Sequence, residues 1–113
     1  MNAEVKEKWL TALESGEYTQ GQNMLHDAIN KEFCCLGVLC DIAVKEGIIF
    51  PPKFEDGAYL YEGSQGLLPW TVAGWADIPF TDGRMKGDDR ALSVMNDSGY
   101  TFAEIAEVIR ENF

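Results

Sequence analysis

The residue types that most often perform chemistry are few in this chain. The only histidine is His26, which Asp27 follows, and a His-Asp pair occurs in metal-dependent phosphohydrolases. Those sites surround the metal with several histidines and further carboxylates. A chain with one histidine cannot supply that ligand set, so we expect His26 to be a surface or hydrogen-bonded side chain and expect no metal site.

The three cysteines, Cys34, Cys35 and Cys40, all lie in the apolar run of residues 33–43. Apolar surroundings raise the pKa of a thiol and so suppress the thiolate that nucleophilic catalysis requires. The spacing contains no CxxC pair of the kind that binds zinc. An odd number of cysteines also argues against a secreted disulfide framework. We therefore interpret them as buried packing residues in a reducing compartment, and we expect no catalytic residue and no cofactor.

The best candidate for ligand binding is the loop of residues 83–90, which carries Arg84, Lys86 and Arg90 between glycines. Glycines ahead of a helix expose backbone N–H groups that can hold an anion. The preceding region supplies aromatic faces for stacking a base. These are Trp70, Trp75 and Tyr59. The alternative is a solvated turn balanced by its own aspartates, with the tryptophans in the core.

Charge restricts the classes of partner. Nine basic residues against nineteen acidic ones give a formal net charge of −10, which repels phosphate backbones and anionic lipid surfaces. Residues 98–109 resemble the opening of a helix-turn-helix, but only four residues follow Ile109 and no recognition helix can form from them. We therefore expect neither direct nucleic-acid binding nor membrane binding. The acidic clusters are interpreted as solvated turns and helix faces.

The apolar run is the element around which the others must pack. Asp41 and Lys45 stand four residues apart as a helical charge pair, and Gly47 is suited to the position after a helix. We predict a helix over residues 34–46, with its first half apolar on every side and therefore surrounded.

Periodicity predicts the remaining elements. Residues 3–15 form an amphipathic helix with Asn2 as its N-cap, and residues 17–31 form a loop with one short strand at most. Residues 58–61 form a strand whose hairpin partner is residues 66–68, and residues 69–75 form a short helix. A helix begins at Asp88 or Asp89 and ends near Gly99, and a last helix opens with the capping box of Thr101 and Glu104.

The chain thus predicts one domain over residues 1–113, of α+β class and mainly helical. A central buried helix packs against N- and C-terminal helices, with a small β-hairpin beside them. No signal peptide pattern and no membrane-spanning run is present, which favours the cytosol.

Four segments of the chain resemble a family of small proteins found in bacteriophages and prophages. They read KWxxALxSGxYxQG over residues 8–21, FCCLGVLCD over 33–41, LP over 68–69 and NDxGxxFxxIA over 96–106. The resemblance implies a phage accessory protein in the host cytosol and no catalytic residues, because members of that family have no assigned reaction. By analogy with other small phage proteins, it implies action against host defence.

Two functions follow as expectations. The first is a non-catalytic protein that sequesters a small ligand, such as a cyclic or modified nucleotide, through the loop of residues 83–90. The second is an acidic module that inhibits a host protein by binding it through charge complementarity. The aromatic content is also compatible with a homo-oligomer.

Overall fold

The computed structural model describes all residues, 1–113, as five helices and one sheet of four strands. The helices are α1 (Ala3–Glu14), α2 (Cys35–Lys45), α3 (Trp70–Ala76), α4 (Leu92–Asp97) and α5 (Phe102–Asn112). The strands are β1 (His26–Asp27), β2 (Glu32–Phe33), β3 (Lys53–Glu55) and β4 (Ala58–Leu60). The predicted α+β, mainly helical class is confirmed.

Helix α2 lies at the centre of the molecule, as its apolar sequence predicts. Every residue from Cys35 to Cys40 is buried. Helices α1, α3 and α4 pack against α2, and α5 packs against α1 and α4. The indole N–H of Trp9 donates to the carbonyl of Cys35 at 3.0 Å, so α1 is joined to α2 by a buried hydrogen bond as well as by apolar contact. One continuous core of 26 buried side chains draws on all five helices.

The predicted helix ends are confirmed where the sequence carries a cap. Asn2 accepts a hydrogen bond from the backbone N–H of Val5 at 3.1 Å, and Thr101 and Glu104 form the complete capping box of α5. The charge pair on α2 forms as predicted, with Lys45 Nζ at 3.1 Å from the Asp41 carboxylate. Local signals therefore define these three helices.

The start of α2 is capped from elsewhere in the chain. Its N-cap residue, Cys34, offers no side-chain hydrogen bond. Instead the amide oxygen of Asn96, a fully buried residue at the end of α4, accepts from the backbone N–H of Cys35 at 3.1 Å. The amide nitrogen of Asn96 donates to the carbonyl of Gly21 at 2.8 Å, and Gln20 Nε2 donates to Asn96 Oδ1 at 2.9 Å. Asn96 thereby joins α2 and α4 to the loop that follows α1.

The sheet corrects one prediction. Its order is β2-β1-β4-β3, antiparallel throughout. The hairpin partner of β4 is β3, not residues 66–68. Asp56 and Gly57 both have positive φ, +49° and +85°, and form the two-residue turn between Glu55 and Ala58. The sequence carries the Asp-Gly turn signal, but the three exposed residues before it are too few to mark a strand.

Helix α4 corrects a second prediction, that of its starting residue. It begins at Leu92 rather than at Asp88, and no side chain caps it. Asp88 instead accepts from the backbone N–H of Arg90 at 2.9 Å, closing a turn within the loop. Asx turns of this kind compete with N-capping for the same carboxylate, and here the turn is formed.

None of the five helices combines the length and the apolar character that crossing a bilayer requires.

Candidate functional site

The basic residues of the loop 83–90 are largely neutralised by Asp88 within the loop and by Asp82 just before it. Arg84 Nε lies 3.0 Å from Asp82 Oδ2, and Arg90 pairs with Asp88 at 3.2 Å. The Arg84 guanidinium also lies 4.5 Å from the centre of the Phe80 ring. Lys86 is exposed and forms no ion pair. Of the three cations, only Lys86 keeps its charge uncompensated.

Several backbone N–H groups around this loop are occupied, including that of Gly83, which donates to the carbonyl of Phe80 at 3.1 Å. The N–H of Leu92 donates to the carbonyl of Gly83 at 3.2 Å, and that of Ser93 donates to the carbonyl of Asp82 at 3.1 Å. The loop thus folds back onto the first turn of α4. An anion at this helix end would have to displace those intramolecular bonds.

The three predicted stacking residues have different surroundings. Trp70 is 72% exposed at the start of α3, and Trp75 is partly buried against the core. Tyr59 lies in the sheet, with its ring 4.6 Å from His26. Among the predicted site residues, only Arg90 lines a groove of the structure. That groove, of about 320 Å³, also contains Tyr100 and Val94. The predicted residues therefore do not share one cavity.

A row of aromatic rings crosses the sheet, one from each strand. Ring centres are 6.0 Å apart between Phe54 and Tyr59, 4.6 Å between Tyr59 and His26, and 3.8 Å between His26 and Phe33. We call these four residues the aromatic row. Tyr18 extends it beyond β2 with an edge-on contact to Phe33 at 5.0 Å.

Polar groups beside the aromatic row form hydrogen bonds with one another. The Tyr18 hydroxyl donates to the Asp41 carboxylate and accepts from Lys45 Nζ at 3.2 Å. His26 Nδ1 lies 2.9 Å from the hydroxyl oxygen of Tyr61, which is 1% exposed. Burial and the bond to Asp41 raise the pKa of Tyr18, so its phenol is protonated at neutral pH. No groove of the structure is lined by these residues, so we assign the cluster to stability.

Acidification is expected to destabilise the protein through His26. Burial lowers the pKa of the imidazole from its ordinary 6.5, against the opposing influence of Asp41 and Asp27. The unfolded chain therefore binds this proton at higher pH than the folded protein does. The free energy of unfolding should hold above about pH 6.5 and fall as the pH drops from there through the lowered folded-state pKa.

Urea unfolding of the wild type and of His26→Gln, at pH values between about 7.5 and about 5.5, measures this effect. The substitution removes the titrating group, so the wild type should lose more stability over that range. Equal losses in both proteins would contradict the assignment, since carboxylates common to both would then explain the pH dependence.

The cysteines are the packing residues that the sequence predicts. All three are free and buried. Burial raises the pKa of the Cys34 thiol to about 11 and also raises the pKa values of the Cys35 and Cys40 thiols well above their ordinary value. Thiols with such pKa values are uncharged at neutral pH and do not act as nucleophiles.

The surface feature with the clearest binding geometry surrounds Phe50, which sequence reasoning missed. Phe50 is 88% exposed, while the neighbouring Ile49 is 6% exposed and anchors the segment in the core. Phe50 borders two grooves, of about 380 and about 320 Å³, and Pro51 and Glu62 line both of them. The larger groove is what we call the Phe50 surface. It consists of Phe50, Pro51, Lys53, Glu55, Leu60, Glu62 and Gly63.

Two prolines and a β-hairpin make the Phe50 surface rigid. Two prolines follow Phe50 directly and fix φ along that stretch. The hairpin of β3 and β4 lines the same groove through Lys53 and Leu60, which pair directly across the two strands. The only signal in the sequence was the apolar residue immediately before the two prolines.

Comparison with known proteins identifies a family of unknown function. No curated protein and no solved structure matches the chain. A family model matches the whole of it, residues 1–113. The chain therefore belongs to the family described as Domain of unknown function (DUF8296).

Proposed function

We propose that this protein is a non-catalytic, acidic interaction module that binds a basic partner protein through the Phe50 surface. The observation that carries the proposal is the 88% exposure of Phe50 at the border of two grooves that share Glu62. A large aromatic side chain held at the surface beside concave apolar walls and carboxylates is typical of an interface anchor.

The charge distribution supports a basic partner. Six of the nineteen carboxylates form an ion pair within the chain, which leaves thirteen without one, against four of the nine cations. The grooves that border Phe50 are lined by Glu55 and Glu62 but by a single cation, Lys53. A partner that offers lysine or arginine around an apolar pocket complements this surface in both charge and shape.

The resemblance to small phage proteins supports a setting for this activity. A phage accessory protein made in the host cytosol meets host effectors there, and blocking one by binding requires no catalytic group. The three buried, free cysteines are compatible with that reducing compartment. We therefore include a host protein, such as a defence effector, as the partner in this proposal.

Capture from a lysate of the natural host, followed by quantitative mass spectrometry, tests the proposal. Phe50→Ser should weaken binding about 30-fold, the effect of losing a hot-spot aromatic worth about 2 kcal/mol. Glu62→Lys should weaken it through charge repulsion, and capture by the wild type should fall steeply as salt is raised. Both substituted residues are exposed, so folding should be unaffected.

The matched control is the double variant Arg84→Ala/Lys86→Ala, which removes two cations from the loop 83–90 and leaves the Phe50 surface intact. It should capture as much partner as the wild type. An empty capture at low salt, or a capture that Phe50→Ser does not reduce, would rule out the proposed surface.

Ligand sequestration at the loop 83–90 is the second candidate, favoured by the stacking of Arg84 on Phe80. An Arg-aromatic pair with an uncompensated lysine nearby can bind a phosphate next to a base. Calorimetric titration with a panel of signalling nucleotides decides this candidate, and the absence of heat with every member rejects it.

A further inference from the structure

The sheet has one sealed edge and one open edge. At the β2 edge, the N–H of Phe33 donates to Thr19 at 2.9 Å, and the carbonyl of Phe33 accepts from Gly21 at 2.8 Å. At the opposite edge, β3 has all three residues exposed and no neighbouring strand. An unpaired edge presents backbone donors and acceptors to another chain.

The turn geometry determines which of those groups point outward. In a two-residue hairpin, the residues flanking the turn form a hydrogen-bonded pair, and such pairs alternate with non-hydrogen-bonded ones. Glu55 pairs with Ala58 next to the turn, and Phe54 then pairs with Tyr59. The N–H and C=O of Phe54 are therefore directed away from β4, toward the open edge.

We propose that two copies of this chain pair antiparallel through β3, with Phe54 opposite Phe54 of the second copy. In that register, the outward N–H and C=O of both Phe54 residues form two hydrogen bonds. Lys53 lies opposite Glu55 of the second copy, and Glu55 lies opposite its Lys53, so opposite charges meet on both sides. Cross-strand pairs of opposite charge stabilise such an alignment, and like charges oppose it.

Other registers lose these contacts. A shift that places Phe54 opposite Pro52 loses a hydrogen bond, since proline has no N–H. A shift in the other direction uses Asp56, whose φ of +49° belongs to the turn. The charge pattern and the two ends of β3 thus select one alignment.

The aromatic row gives an independent reason for the same alignment. Its outer member, Phe54, is 60% exposed, whereas Tyr59 and Phe33 pack against the core. Pairing at Phe54 joins the rows of the two copies end to end and covers the exposed ring. The pairing uses the open edge of both copies, so no edge remains for a third copy and the assembly stops at a dimer.

This inference does not depend on the proposed partner, but the two share residues, because Lys53 and Glu55 line the Phe50 surface and also pair across the dimer. That pairing neutralises both charges, so in the dimer Glu62 is the carboxylate of the Phe50 surface that a basic partner meets. The two-fold axis runs perpendicular to the sheet, so the two Phe50 surfaces lie on the same side of an eight-stranded sheet. A dimeric module can then engage two copies of a partner, or two sites on one.

Sedimentation velocity over a concentration series reaching about 100 μM, a range that detects a Kd of micromolar order, tests the pairing. We use about 0.15 M salt, where the Debye length of about 8 Å screens repulsion between the acidic copies. The wild type should convert from monomer to dimer as concentration rises. Lys53→Glu and Glu55→Lys should each remain monomeric, and the double variant Lys53→Glu/Glu55→Lys should recover the dimer.

A covalent trap gives a second measurement. Cα atoms of a hydrogen-bonded pair lie about 5.5 Å apart, within the range that a disulfide spans. Under mild oxidation Phe54→Cys should form a disulfide-linked dimer, and Val94→Cys, a substitution at an exposed site on α4, should not. A monomeric wild type at every concentration, or a charge-swapped double variant that stays monomeric, would overturn the proposal.

Discussion

Gly37→Ala is expected to unfold this protein or to cost about 3 kcal/mol or more of its stability, the upper end of overpacking effects. A methyl group on Gly37 would lie 1.7 Å from the carbonyl oxygen of Leu25. That carbonyl is backbone, and it also accepts from the N–H of Cys34 at 3.2 Å. The added methyl group and the Leu25 carbonyl could move apart only if α2 separated from the chain segment that leads into β1.

A second helical glycine provides the control for this measurement. Gly74 lies in α3, and a Cβ there would have no atom within 4 Å. Gly74→Ala should leave stability unchanged or raise it by about 0.5–1 kcal/mol, because alanine loses less backbone entropy in a helix. Urea midpoints followed by circular dichroism compare the two variants. A Gly37→Ala protein as stable as Gly74→Ala would contradict the close contact.

Asn96→Leu is expected to have the next largest effect. The substitution keeps the volume of the side chain but removes all of its hydrogen bonds. It leaves the N–H of Cys35 and the carbonyl of Gly21 without their partner at a fully buried position. Each unsatisfied group costs about 1–3 kcal/mol, so the loss should be about 2–6 kcal/mol.

Gln22→Ala is the matched control for the polar network. The Gln22 amide contacts the carbonyl of Asn96 only at 3.5 Å, the outer limit of a hydrogen bond. Its removal should change the free energy of unfolding by less than about 0.5 kcal/mol. If Asn96→Leu were equally mild in urea unfolding, the capping of α2 by Asn96 would not be required for the fold.

Gly37 and Asn96 account for part of the four sequence segments singled out at residues 8–21, 33–41, 68–69 and 96–106. Both lie in those segments, as do Gln20 and Gly21 of the same network. Gln20 also accepts from the N–H of Phe102 at 2.9 Å, which ties the loop after α1 to the start of α5. The four segments therefore describe how the loop and helices are joined, and the exposed Phe50 lies outside them.

The helices with local signals were predictable from the sequence. Asn2, the Asp41–Lys45 pair and the capping box at Thr101 each act within one turn of the helix they define. The helices predicted at residues 3–15, 34–46 and 69–75 are present with ends that differ by a residue. Short-range contacts of this kind depend little on the rest of the fold.

The elements that depend on tertiary contacts were not predictable in the same way. Strand β3 has three residues, all exposed, and gains its structure from pairing with β4, so its Lys-Phe-Glu alternation is too short to distinguish it from a loop. The start of α4 is set by backbone bonds to Gly83 and Asp82, which lie in the loop before it. Neither contact has a signature in residue type.

The candidate site illustrates the same limit. Ile49 and Phe50 are adjacent apolar residues, yet one is 6% exposed and the other 88%. Residue type cannot distinguish them, because the choice depends on how the segment leaves α2. The loop 83–90 shows the converse. Its cations were evident, but their pairing with Asp82 and Asp88 depends on the loop conformation.

The location of partner binding is tested most directly by amide hydrogen exchange on the wild-type protein, with and without the partner that it captures. Binding at the Phe50 surface should slow exchange in residues 48–63 and leave residues 83–90 unchanged. Protection confined to residues 83–90, or no protection in residues 48–63 when the partner is bound, would contradict the account.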